Sequence, residues 1–214
     1  ITDANVTASE KGNPVTIESK DTSVSDTGNV YWRAQLKNAQ GNVISEHEMG
    51  IASETTVVKP HTITTQVSKS SVYSDETFQD VATVTGVLKE GWKVHFTAYQ
   101  PQEGAWNPDE AQVLYEKDVP VTAEQVTASS KGKETTFESG VTSTQKIGKV
   151  YWKAQLIRDD NTVAAEHKVG IASETTEIKK HTITTQVSKG EVSADEKFHD
   201  TAVVTGYLQK GWYV

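Results

Sequence analysis

Cysteine is absent from the 214-residue chain, which also has only one methionine and five leucines. Without a thiol, the chain cannot form a disulfide, a zinc–thiolate site, an iron–sulfur cluster or a cysteine nucleophile. No apolar run reaches the roughly 18 residues that a membrane-spanning helix needs. The sequence also has no Gly-x-Ser-x-Gly, no glycine-rich phosphate loop and no His-Glu-x-x-His motif. We therefore expect a protein that is not an enzyme and that holds no cofactor or metal.

Charge and the lack of cysteine also restrict the partners and the compartment. The formal net charge is −8, and the lysines and arginines are scattered along the chain. A nucleic-acid surface needs clustered basic residues to neutralise phosphates, so we expect no nucleic-acid partner. Secreted animal proteins usually carry disulfides, so an extracellular protein without cysteine is more typical of bacteria.

Threonine and valine, by contrast, are abundant, with 28 and 26 copies that together make up a quarter of the residues. β-Branched side chains lose freedom in helices and pack well on the pleated surface of a sheet. The composition therefore predicts an all-β fold.

An internal repeat is the most informative feature of the sequence. Residues 1–94 align with residues 121–214 at a constant offset of 120, without a gap, and 52 of the 94 pairs are identical. A period of this length is too long for a solenoid unit and suits one β-sandwich. The sequence therefore predicts tandem immunoglobulin-like antiparallel β-sandwich repeats with a period of 120 residues. Tandem copies are typical of stalks, fibres and arrayed binding modules rather than of enzymes.

The repeat boundaries are predicted near Lys59–Pro60 and Lys179–Lys180, where a Thr-rich strand ends before a short Lys/Pro linker. This places the C-terminal part of one repeat in residues 1–58, a complete repeat in 59–178 and the N-terminal part of the next in 179–214. A boundary near Pro120–Val121 is the alternative. Partial sandwiches expose core faces, so we expect adjacent repeats of the same protein to complete them, for example by head-to-tail complementation between chains.

Strict alternation of apolar and polar residues marks the strands. Residues 92–98 place Trp92, Val94, Phe96 and Ala98 on one face, and residues 150–156 do the same with Val150, Trp152, Ala154 and Leu156. The copy at 30–36 predicts that Val30, Trp32, Ala34 and Leu36 face inward. Further strands are predicted at Thr62–Ser68, Phe78–Thr85, Ala111–Glu116, Val119–Thr127, Thr135–Glu138, Thr162–Val169 and Glu174–Ile178. About nine strands per repeat and no amphipathic helix are expected.

Several short motifs occur in an order that resembles the repeat domains of Gram-positive bacterial surface adhesins. They are most similar to the stalk domains that carry an intramolecular Thr–Gln ester bond. The stretches that carry the resemblance, each with a copy 120 residues away, are Thr64-Thr65, Asp80–Thr83, Val150–Lys153 and His167–Thr176. The resemblance implies a β-sandwich at the bacterial cell surface, either anchored to the wall or secreted.

The resemblance also implies a candidate cross-link, although the sequence departs from the family's pattern. The family's late glutamate is Lys153 here, and its cross-linking glutamine is replaced by Glu174 or Thr175. The implied ester would join Thr65 or Thr64 to Glu174, with Asp80 and His167 beside it. An ionised carboxylate resists attack by a hydroxyl, so a domain without a covalent bond is favoured. An amide between Asp80 and Lys69 or Lys153 is a third possibility.

These observations predict a structural stalk or fibre segment of a large surface adhesin, which projects a distal binding domain and bears mechanical load. The alternative is a repeated module that binds a host glycan or protein. Trp106, which lies in a Pro/Gly/Asn loop, and Tyr99 are the candidate ligand contacts, together with Tyr115 or an outward-facing Tyr151. A hydrolase or metal enzyme is a third and weaker hypothesis.

Overall fold

The computed structural model describes residues 1–214 and divides them into two compact units, Ile1–Lys59 and Pro60–Val214. Most of the regular structure is β-strand, and the strands form several mainly antiparallel sheets. The prediction of a mainly β fold with antiparallel sheets is therefore confirmed. No helix is long and apolar enough to span a membrane.

The first unit has one helix, four short strands and no buried residue. Strand β1 pairs with β4, and β2 pairs with β3, both antiparallel. The elements are α1 (Asp3–Glu10), β1 (Gly28–Tyr31), β2 (Gln35–Lys37), β3 (Val43–Glu46) and β4 (Thr55–Val58).

The second unit contains the other helix, eleven strands and all of the buried core. Its elements are β5 (Thr62–Val67), β6 (Ser71–Tyr73), β7 (Asp80–Thr85), β8 (Lys93–Gln102), β9 (Val113–Pro120), α2 (Ala123–Ser130), β10 (Thr135–Glu138), β11 (Gly148–Ile157), β12 (Val163–Glu166), β13 (Thr175–Lys179), β14 (Thr182–Val187) and β15 (Asp200–Thr205). The smaller of the two main sheets has the strand order β10-β7-β5. The larger has the order β6-β13-β11-β8-β9, and β12 also pairs with β11. Strands β14 and β15 pair only with each other.

Residues of the three-stranded and the six-stranded sheets share one hydrophobic core. Trp152 on β11 is fully buried, and its ring meets Phe78 and Tyr115 edge-on, each at a centroid distance of 6.2 Å. The alternation predicted for β8 and β11 is confirmed. The inward residues of the two strands are all buried, and so is Trp92, which directly precedes β8; they are Val94, Phe96, Ala98, Val150, Trp152, Ala154 and Leu156.

The prediction of a strand over Val119–Thr127 is wrong beyond Pro120, where β9 ends and helix α2 soon begins. The cause is a capping box: Gln125 N–H donates to Thr122 Oγ1 at 3.3 Å, and Thr122 N–H donates to Gln125 Oε1 at 2.9 Å. These bonds satisfy backbone donors at the helix start, which outweighs the weak β preference of the neighbouring threonines. The structure thus contains two short helices, α1 and α2, where the sequence predicted no amphipathic helix.

The predicted strand at residues 30–36 is also broken in the structure. It divides into β1 and β2, and Leu36 is 51% exposed, whereas its copy Leu156 is fully buried. In the second unit, eight residues of β11 pair with β8. The first unit has no strand that corresponds to β8. The inward prediction for Val30, Trp32, Ala34 and Leu36 therefore fails there, because no facing strand covers these side chains.

Candidate functional site: a buried polar cluster

Strand β5 turns one of its two adjacent threonines into the core. Burial alternates along Thr62–Val67, so that Ile63, Thr65 and Val67 are buried and Thr64 is exposed. This follows from the two-residue period of a strand, which sends neighbouring side chains to opposite faces. Of the two candidate nucleophiles, only Thr65 faces the interior.

Asp80 lies at the start of β7, opposite Val67 of β5. Its side chain is fully buried, and neither carboxyl oxygen has a hydrogen-bond partner of good geometry. Burial raises the pKa of Asp80 to about 7, and the nearby Val81 N–H and Thr65 hydroxyl only partly offset this effect. A buried carboxyl group without a cation beside it favours the neutral acid.

Glu174 ends a 3₁₀ turn, Ala172–Glu174, directly before β13, and its side chain is fully buried. The turn is held by Glu174 N–H, which donates to the Ile171 carbonyl at 3.0 Å. Burial, followed by the repulsion of Asp80, raises the pKa of Glu174 to about 9. Glu174 is therefore a neutral carboxylic acid at physiological pH.

His167 connects the threonine to the acid. Its Nδ1 atom lies 3.0 Å from Thr65 Oγ1 and 2.5 Å from Glu174 Oε1. The backbone at His167 is held against β11, since His167 N–H donates to the Ala154 carbonyl at 3.0 Å. Burial lowers the pKa of His167, so the neutral imidazole is favoured. A single ring nitrogen thus lies within 3.0 Å of both the hydroxyl and the acid.

The cluster Thr65–Asp80–His167–Glu174 combines the groups that acyl transfer requires. The Thr65 hydroxyl is a potential nucleophile, the protonated Glu174 is a potential electrophile, and Asp80 and His167 can accept or return a proton. Thr175, the other candidate for the glutamine position, is partly exposed and donates its hydroxyl to the Ile171 carbonyl. The structure thus places Glu174, and not its neighbour, in the cluster.

The copies of these residues do not form a complete cluster elsewhere in the chain. In the first unit, His47 Nδ1 lies 3.3 Å from Glu54 Oε1, and the His47 side chain is 49% exposed. Thr185 and Asp200, the copies of Thr65 and Asp80, are exposed on β14 and β15. All four groups come together only within residues 60–179.

Neither lysine proposed for an amide reaches Asp80. Lys69 Nζ donates to Glu76 Oε1 at 2.8 Å, and Lys153 Nζ lies 3.0 Å from Glu166 Oε2. Both lysines are held by surface carboxylates, which is the ordinary arrangement for an exposed charge. The structure therefore brings no amine to the buried acid.

The candidate ligand contacts form a separate aromatic cluster. The Trp106 ring lies 4.7 Å from Tyr99 and 5.4 Å from Tyr151, measured between centroids. Trp106 also covers Gly170, where a Cβ atom would lie 3.0 Å from Trp106 Cβ. Trp106 and Tyr99 are half-buried.

The prediction that Tyr151 faces outward is wrong. Tyr151 is only 3% exposed, and its hydroxyl donates to the Gly104 carbonyl at 2.7 Å. A register shift between Lys149 and Tyr151 lies in the pairing of β11 with β8 and places Tyr151 beside Tyr99. The loop that carries Trp106 then covers the tyrosine ring.

No protein-family model matches the chain, and no curated protein matches it significantly.

Proposed function

We propose that the chain is part of the stalk of a bacterial surface adhesin, built from immunoglobulin-like β-sandwich repeats with a period of 120 residues. The protein is extracellular and spaces a distal binding domain from the cell surface. The observation that carries this proposal is the buried cluster. It connects β5, which opens the complete repeat, to the turn that precedes its closing strand β13.

Tension applied along the chain acts on these same two strands. Force enters at Thr62 and leaves at Lys179, the outer ends of β5 and β13. The two strands belong to different sheets, so pulling tends to separate the sheets. The contacts between Thr65, His167 and Glu174 oppose this separation, while backbone bonds to β7 and β11 keep β5 and β13 in their own sheets.

The cluster also supports a covalent form of this closure, an ester between Thr65 and Glu174. Thr65 Oγ1 attacks Cδ of the protonated Glu174, a new O–C bond forms, and the C–OH bond breaks to release water. Asp80 or His167 takes the hydroxyl proton and returns it to the leaving oxygen. Well-oriented groups within one fold react with effective molarities as high as about 10⁵–10⁸ M, which favours condensation in a dry site.

Intact mass spectrometry tests this step directly. We expect the chain to be lighter than its sequence mass by one water molecule. Thr65→Ala should restore the full mass, because the nucleophile is lost. Thr64→Ala is the matched control and should keep the mass deficit, since Thr64 is exposed. An unmodified mass for the wild-type chain would exclude the ester and would leave the non-covalent closure intact.

Single-molecule pulling through the two chain ends tests the mechanical proposal. The ester would prevent extension of the segment between Thr65 and Glu174, and Thr65→Ala should add roughly 350–390 Å of extension. In that variant we still expect a distinct unfolding peak, because the strand hydrogen bonds remain. If the Thr65→Ala chain extended without a measurable peak, the stalk proposal would fail.

Exposed apolar faces support the proposal that adjacent repeats of the same protein are the partners. Ile183 and Val187 on β14 are 54% and 56% exposed, whereas their copies Ile63 and Val67 are 5% and 4% exposed. Head-to-tail addition of a neighbouring repeat would cover this face in the same manner. Binding of a host glycan or protein through Trp106 and Tyr99 stays a prediction.

A further inference from the structure

The turn after β6 presents two side chains on a rigid frame. Glu76 N–H donates to the Tyr73 carbonyl, and Tyr73 N–H donates back to Glu76 Oε2, each at 3.1 Å. Lys69 donates to the other Glu76 oxygen at 2.8 Å. Asp75 adopts φ +65° at the tip of the turn, and its N–H donates to the Thr144 carbonyl at 3.1 Å. Tyr73 and Ser74 therefore have fixed positions.

The strand that leaves the complete repeat runs along this turn. Strand β13 pairs in parallel with β6 as far as Lys179 opposite Tyr73, and Ser74 N–H donates to the Lys179 carbonyl at 3.0 Å. The chain therefore leaves the repeat beside Tyr73 and Ser74. His181, two residues later, lies directly against them.

One imidazole then joins the two sides of the boundary. On the side of the complete repeat, His181 Nδ1 lies 2.9 Å from Ser74 Oγ, and the ring is 5.6 Å from Tyr73. On the following side, His181 Nε2 lies 2.7 Å from the Tyr207 carbonyl, and the ring is 5.3 Å from Trp212. A carbonyl can only accept, so Nε2 carries a proton, and Nδ1 shares a hydrogen bond with the Ser74 hydroxyl.

Comparison with His61, the copy of His181, shows which of these contacts occur within a single repeat. His61 Nε2 lies 2.9 Å from the Val87 carbonyl, and its ring is 5.1 Å from Trp92. A Cβ atom on Gly86 would lie 2.5 Å from His61 Cδ2, and one on Gly206 would likewise collide with His181 Cδ2, so a glycine leaves space for the ring in both copies. The contacts to the carbonyl, the tryptophan and the glycine thus belong to each repeat by itself. The contacts to Tyr73 and Ser74 belong to the junction.

We propose that Tyr73 and Ser74 form a docking surface for the first histidine of the next repeat and fix the orientation between consecutive repeats. This inference rests on the tandem architecture proposed above. The partner is the following copy of the repeat, and it is recognised by an imidazole that presents its Nδ1 atom and one ring face. The stalk is accordingly stiff at this junction.

The next repeat keeps the frame of the turn and loses the docking side chains. Glu196 N–H donates to the Ser193 carbonyl at 3.1 Å, Ser193 N–H donates to Glu196 Oε2 at 3.0 Å, and Asp195 has φ +66°. However, Ser193 and Ala194 replace Tyr73 and Ser74. A repeat that follows this turn would have neither the ring contact nor the hydroxyl donor. Successive junctions along the stalk therefore differ in stiffness.

The double variant Tyr73→Ser/Ser74→Ala tests the docking surface in the full chain. It introduces the sequence that the same turn already accommodates at Ser193 and Ala194, so the complete repeat should fold unchanged. Trypsin cleavage at Lys179 and Lys180, followed by mass spectrometry, reports opening of the junction. We expect cleavage there to be about five- to tenfold faster, as loss of one hydrogen bond and one ring contact implies.

His61→Ala is the matched control, because it removes the same imidazole from a position without the docking contacts. Cleavage at Lys179 and Lys180 should not change in this variant. The imidazole ¹⁵N spectrum gives a second reading, in which the His181 Nδ1 signal should shift in the double variant and the His61 signal should not. Equal cleavage rates and an unchanged His181 signal would overturn the inference. Such a result would not affect the interpretation of the mass and pulling experiments, since neither depends on this junction.

Discussion

Trp152→Ala should destabilise the second unit by about 3–5 kcal/mol, the range for removal of a fully buried large aromatic side chain. Trp152 is 0% exposed and contacts Phe78, which lies just before β7 of the smaller sheet, and Tyr115 on β9 of the larger one. Truncation would leave a cavity where the two sheets meet, and the surrounding strands can close it only in part. The whole free energy of unfolding of an ordinary domain is about 5–15 kcal/mol, so this loss would remove a large part of it.

Urea unfolding followed by circular dichroism measures this effect. Trp32→Ala is the matched control, because Trp32 is the copy of Trp152, lies in the first unit and is half-exposed. Its Nε1–H donates to Thr56 Oγ1 at 3.0 Å, and the expected change is below about 1 kcal/mol. Equal effects of the two substitutions would mean that Trp152 does not organise the core.

The core of the second unit could be predicted from the sequence because its signal is local. A two-residue alternation depends only on neighbouring positions, and the inward residues of β8 and β11 follow it. The same alternation failed at Val30–Leu36, where burial depends on a facing strand that the first unit lacks. Helix α2 was missed because its capping box, Thr122 with Gln125, lies in a Thr/Val-rich context that favours strands.

The candidate site was only partly predictable, for a different reason. The motif narrowed the position of the family's cross-linking glutamine to Glu174 or Thr175 and the nucleophile to Thr64 or Thr65. Adjacent residues in a strand point to opposite faces, and only the fold decides which one is buried. The docking contacts of His181 could not be predicted, because they join residues 107 positions apart that share no motif.

The buried acids Asp80 and Glu174 predict that alkaline pH destabilises the second unit. Folding raises the pKa of Glu174 from 4.5 to about 9 and that of Asp80 from 3.8 to about 7. Between the ordinary and the raised pKa of each group, the folded state binds more protons than the unfolded state. The contribution is therefore complete below the ordinary pKa and is lost as the pH rises through the raised one, at about 1.4 kcal/mol per pH unit for each group.

His167 acts in the opposite direction over part of this range. Burial lowers its pKa, so the folded state binds fewer protons than the unfolded state at pH values near 6.5. Its contribution to stability therefore increases as the pH rises towards neutrality and is constant above it. From pH 7 to 9, where Asp80 has already passed its raised pKa, Glu174 alone should set the slope.

The pH dependence is best measured in the Thr65→Ala variant, where no ester can form and Glu174 keeps its acid proton. Urea unfolding at pH 7 to 9 should show stability decreasing with pH in this variant. The decrease should be nearly absent in Thr65→Ala/Glu174→Gln, because the carboxamide does not titrate. Adding Glu54→Gln instead should leave the slope unchanged, since Glu54 is not fully buried. A flat profile in Thr65→Ala itself would mean that Glu174 is ionised or solvated in the folded state, and the chemistry assigned to the cluster would then lose its protonated electrophile.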